Sequence, residues 1–116
     1  MESILTSIKK LLGITEEDTS FDSDVMMHIN SVLMILNQLG VGPDSGFAIK
    51  SNAETWSDFL YSSVDVEAVK TYAYLKVRLI FDPPNSSATI DSIKRLADEL
   101  EWRIKTQVET KGEEVL

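Results

Sequence analysis

Residues Asp65–Ser87 read DVEAVKTYAYLKVRLIFDPPNSS, and this stretch decides the fold. Asp65 suits a helix start, since its side-chain oxygen accepts from the unpaired N–H groups of a first turn. Pro83 and Pro84 stop the helix, because neither ring donates an amide and each restricts the residue before it. The interval predicts a helix over about 65–82, roughly 25 Å long at 1.5 Å per residue. Its apolar side chains, spaced about 100° apart, sweep an arc of roughly 200°, about twice what an ordinary surface helix needs. They form two stripes, Val66/Val69/Ala73/Val77/Ile80 and Ala68/Tyr72/Leu75/Leu79. Such a helix has two neighbours to satisfy. It is the central helix of a small domain, or it faces its own core on one side and another subunit on the other.

Lys76 falls near the middle of that arc. Two readings stay open: an apolar stem with its ammonium snorkelling at the domain edge, or an ammonium held by Asp98 or Glu101 where two packing partners meet.

Upstream, Glu2–Leu12 has Ile4, Leu5, Ile8, Leu11 and Leu12 at helical spacing, with Lys9 and Lys10 near the negative end of the dipole and Gly13 as the stop. Thr15–Asp24 is acidic and polar, and Asp22 or Ser23 is expected to cap the next helix. Asp22-Ser-Asp24 lacks the glycine and distal glutamate of a calcium loop, so no metal is expected there. Val25–Leu39 is strongly apolar but broken by His28, Asn30, Asn37 and Gln38, too short and too polar to span a bilayer. It reads as a core helix with surplus apolar surface, including Met27 and Met34. Gly40–Gly46 is a turn rather than a phosphate cradle, since no Gly-Lys-Ser/Thr follows. Phe47–Ile49 fits a brief extended piece. Ser51-x-x-Glu54 matches a capping box that would open a short helix through about Tyr61, with Trp56, Phe59 and Leu60 as a lid on the core.

Downstream of the diproline, Ser87 or Thr89 starts the last helix, about 88–108. Ile90, Ile93, Ala97, Leu100, Ile104 and Val108 step by threes and fours along one seam. Trp102 lies off the seam, as a capping piece of core or an exposed anchor for a partner. Thr110–Leu116 is short and charged, and is expected to be a flexible tail that frays unless a partner holds it. The chain reads as all-α, about five helices, in a single domain spanning residues 1–116.

The chemistry implied by composition is mostly negative. There is one histidine and no cysteine, so neither a Ser/His/acid nor a Cys/His set is available, and His28 has no orienting partner on its helix. The acids mix with Lys and Arg as solvated faces do. No enzyme activity and no cofactor are expected. A formal charge of −8 argues against a wrapping grip on nucleic acid, without opposing DNA that passes nearby unheld. No signal-like N-terminus and no apolar run of membrane length occur, so neither secretion by the usual route nor membrane insertion is expected.

Five pieces in order carry a resemblance: Ile8-Lys-Lys-Leu-Leu-Gly13, Ile29-Asn-Ser-Val-Leu33, Glu54-Thr-Trp-x-Asp-Phe-Leu60, Tyr74-Leu-Lys-Val-Arg-Leu-Ile-Phe-Asp-Pro-Pro84 and Leu100-Glu-Trp-Arg-Ile104. Over about residues 3–105 the chain resembles the small head–tail connector (adaptor, or head-completion) proteins of tailed bacteriophages. The resemblance implies a structural virion protein, made in the host cytoplasm and placed at the head–tail junction. It implies a ring, usually a dodecamer, under the portal vertex. That ring would extend the DNA channel and join the portal to the next head-completion, stopper or tail protein. Met27, Met34, Trp56, Tyr72, Leu75, Lys76, Leu79, Trp102 and Arg103 are the expected protein-interface residues. The rival reading is a small regulatory or antitoxin-like module binding one host protein through Val25–Leu39. A DNA-binding helix-turn-helix is disfavoured, because no Lys/Arg-rich helix follows the Gly40 turn.

Overall fold

A computed structural model describes residues 2–60 and 65–115, with side chains through 110. Its regular elements are helices: α1 (Ile4–Leu12), α2 (Asp22–Gln38), α3 (Trp56–Phe59), α4 (Val66–Phe81) and α5 (Ser87–Val115). No strand occurs among the described residues; Ser3 and Thr55 form one isolated antiparallel bridge. The all-α expectation holds, as do the bounds of the central helix.

Local chemistry sets the ends. Asp65 accepts from the N–H groups of Glu67 and Ala68, and α4 stops at Phe81 before the diproline. Ser3 Oγ accepts from Thr6 N at 3.2 Å to open α1. Left-handed Gly13 closes α1, with its N–H on Lys10 O and the next amide on Lys9 O. Two caps differ from expectation. Phe21, not Asp22 or Ser23, stands at the N-cap of α2 and makes no side-chain cap bond. Asp22 is instead inside the first turn, drawn away by Lys9. The short helix begins at Trp56 rather than after Ser51, because the box that closes is Thr55/Asp58. Glu54, its expected member, accepts from Lys50 N and Ser51 N and shapes the turn before it. Tyr61, where the reading ended this helix, lies outside the described residues.

α4 packs against α1, α2 and α5. Val69, Tyr72, Ala73 and Val77 are fully enclosed and Leu75 nearly so, which identifies α4 as the central helix. Its two stripes are therefore mostly satisfied within one subunit. Only Ile80, 58% exposed near the C-terminal end, stands clear. α2 contributes Val25, Ile29, Val32, Leu33 and Leu36 to the core, and α1 contributes Ile4, Leu5 and Ile8. α5 contributes a narrower seam: Ala97 and Ile104 are buried, with Ile93, Leu100 and Val108 packed beside them. Its backbone stays helical to Val115, beyond the expected end near 108.

The long connection between α2 and α3 is held by two asparagines that sequence reading treated only as interruptions of an apolar run. Asn30 donates to Ile49 O at 3.0 Å and accepts from Ile49 N at 2.7 Å. Asn37 donates to Val41 O and Pro43 O. Phe47 lies against Phe59 with ring centroids 5.2 Å apart, while Gly42 has φ +83° and backs onto the same Phe59 ring. Phe47–Ile49 forms no strand.

Candidate protein-binding surfaces

The lid residues are core. Trp56 is 1% exposed and donates Nε1–H to Ser7 Oγ at 2.9 Å, and Ser7 donates in turn to Ile4 O. Backbone bonds Ile4 N to Glu54 O and Trp56 N to Glu2 O tie this segment to the N-terminus. Trp56 is thus committed inside the subunit and presents no surface. Tyr72 and Leu75 are likewise enclosed within the single subunit, at 0% and 6% exposure. For Tyr72 and Leu75 the physical reason is that α1, α2 and α5 together surround α4.

Lys76 is half-buried, with Nζ 6.0 Å from the Tyr72 ring centroid. Neither Asp98 nor Glu101 holds it. Glu101 Oε1 accepts instead from the Tyr72 hydroxyl at 2.6 Å. Burial first, and then this hydrogen bond, push the Tyr72 phenol well above its ordinary value. Of the two readings for Lys76, the snorkelling stem is the one the geometry fits. Leu79 is half-buried on the same helix.

Among the described residues, four of the seven large apolar side chains left exposed lie on α2 and α5, the others being Leu11, Phe21 and Ile80. Val25, Ile29, Val32, Leu33 and Leu36 face inward, so Asp24, Met27, Ser31, Met34 and Gln38 form an outer stripe at helical spacing. Met27 and Met34 are 58% and 56% exposed. On α5, Trp102 is 64% exposed and Leu96 43%, on faces the buried seam cannot cover. Arg103 is exposed beside Trp102, its guanidinium 3.7 Å from Glu99, an i,i+4 pair worth little in water. Phe21, at the mouth of α2, meets Phe81 edge-on at 5.6 Å, and His28 lies edge-on to the same ring.

One constellation was missed by sequence reading. Lys9 is 3% exposed, not solvated at the end of α1. Its ammonium donates to Glu16 O at 3.2 Å and Asp18 O at 2.8 Å and stands 2.8 Å from Asp22 Oδ1. That carboxylate oxygen is buried and accepts no aligned hydrogen bond, so the ammonium alone offsets its charge. The signal was present: Lys9 falls on the apolar face of α1, four residues after Leu5, ahead of an acidic run with no cation of its own.

No group of three or more His, Cys, Asp or Glu placed to hold a metal ion occurs among the described residues. No described helix is long and apolar enough to cross a membrane. Exposed apolar side chains, chiefly on α2 and α5, make recognition of other proteins the chemistry this surface favours. The sequence profile of the phage connector protein family matches residues 4–111. The chain belongs to the phage connector protein family. The match runs from the first turn of α1 into the last turns of α5 and agrees with the head–tail connector resemblance read from the sequence. No curated protein and no solved structure matches the chain. As a phage connector protein it has a structural role in a phage particle.

Proposed function

We propose that this connector protein forms a ring under the portal vertex, extends the DNA channel and joins the head to the next head-completion or tail protein. The observation that carries the reading is the pair of unfilled apolar surfaces, Met27/Met34 on α2 and Trp102 on α5, in a member of this family. A ring subunit has unlike left and right neighbours, and two unlike sticky faces serve that need. Excess negative charge suits a passage for DNA, because a basic lumen would grip the phosphates. The portal and the next head-completion or tail protein are the partners, the head–tail junction is the location, and the mechanism is binding rather than catalysis. The family match favours this reading over a regulatory module. Negative-stain microscopy of the purified protein, alone at high concentration and mixed with its portal, should reveal rings. Monomers under both conditions would overturn the proposal.

A further inference from the structure

The surface charge is distributed unevenly along the fold. Between Lys10 and Lys50 the chain has no lysine or arginine, while the same interval holds Glu16, Glu17, Asp18, Asp22, Asp24 and Asp44. Lys9, the cation that reaches into this region, is buried and already committed to Asp22. The outer stripe of α2 is therefore an apolar strip, Met27 and Met34, with Asp24 beside it and no cation of its own. Among the described residues the exposed cations are Lys10, Lys50, Lys94, Arg95, Arg103 and Lys105, so α5 carries four of the six. They surround Trp102 and alternate with Asp91, Asp98, Glu99 and Glu109, which leaves the α5 face close to neutral.

These facts rank the ways in which two copies can meet. Two α2 stripes would set acid against acid. Two α5 faces gain nothing from charge. Only α2 against α5 brings cations to the cation-free stripe and lays an indole on methionine thioethers, a favourable sulfur–aromatic pairing. Both helices pack on α4, and Val108 of α5 lies beside Gly40 at the end of α2. Met27, Met34 and Trp102 all stay exposed in the single subunit, so one copy leaves its own stripe uncovered.

We infer that the Met27/Met34 stripe of one copy seats on the Trp102 face of the next, with Arg95, Arg103 and Lys105 opposite the acids that flank α2. This rests on the ring reading and assigns the two sides of its repeating contact. Each such contact leaves one α2 stripe and one α5 face free at the ends, so association continues until the ring closes.

The absence of cysteine allows a direct test. Met34→Cys and Trp102→Cys copies of the full chain, both altered at exposed positions, are mixed and treated with a short bis-maleimide under conditions where the unaltered protein forms rings. The mixed dimer should dominate, with each variant alone giving only background. As a second readout, unaltered protein mixed with its nitrogen-15 copy is joined by carbodiimide. Intermolecular links should connect Glu16, Glu17 or Asp24 to Lys94 or Lys105. Rings whose intermolecular links avoid these pairs would overturn the assignment while leaving the ring intact. Absence of rings would remove both.

Discussion

The Tyr72 hydroxyl donates to Glu101 Oε1 at 2.6 Å and so fastens α5 to the central helix. Tyr72→Phe should lower stability by about 1–2 kcal/mol, since it leaves a half-buried carboxylate without its donor. Urea melts at neutral pH measure this. The folded phenol titrates above its ordinary 10.0, so its contribution is complete below that pH and is lost as pH rises past it. The wild type should therefore lose stability more steeply than Tyr72→Phe on the alkaline side.

Lys9→Met should destabilise the fold by about 2–3 kcal/mol, because it strands the Asp22 carboxylate and two carbonyls of the linker. Pairing it with Asp22→Leu should recover part of the loss, since removing both charges avoids the stranded one. Thermal melts of the four proteins in the double-mutant cycle supply the coupling.

Gly42→Ala should cost about 2–4 kcal/mol, as a left-handed position and a packed aromatic ring act together. A Cβ there would stand 2.5 Å from Phe59 Cε1. Gly46→Ala, also at positive φ but with open space around it, should cost only about 1 kcal/mol. Equal losses in the two melts would show that the Phe59 contact is unimportant.

Asn30→Ala should cost about 1–3 kcal/mol by leaving the Ile49 N–H and C=O unpaired beside the core. Hydrogen exchange at the Ile49 amide should quicken, while amides in the middle of α4 stay protected.

Acid should weaken the fold through Glu54 and Asp18. Burial opposes ionisation of Glu54, but backbone N–H donors including those of Lys50 and Ser51 outweigh it and hold the carboxyl below its ordinary 4.5. The Ser20 hydroxyl, followed by its N–H, lowers Asp18 in the same direction. With folded values depressed, the stabilisation is present above the unfolded values and fades as pH falls through the folded ones. Stability should hold down to about pH 5 and decline below it, and Glu54→Gln should flatten that decline.

Much of this fold is legible from residue order because strong punctuation coincides with strong periodicity. Asp65, the diproline and the seam from Ile90 to Val108 each predict an element the structure contains. Overlapping signals were harder to resolve. Ser51-x-x-Glu54 and Thr55-x-x-Asp58 are both capping patterns, and the second prevails because Trp56 is fixed at once by the Glu2 carbonyl. The outer methionines were readable because they fall off the inward period of α2. The burial of Tyr72 and Leu75 was not, since a wide apolar arc does not say how many neighbours within the same chain will cover it. Lys9 was misplaced for a related reason: its position near a helix end suggested a dipole partner, while tertiary closure of the linker decided its fate.

The Glu16 and Asp18 carbonyls and the Asp22 carboxylate gather around the Lys9 ammonium much as oxygen ligands gather around calcium. Here the positive centre is tethered by its own side chain, so it cannot be diluted away or extracted by a chelator. The bend between the first two helices should keep its shape in EDTA as well as in millimolar calcium, a useful indifference for a particle that passes from cell interior to open surroundings.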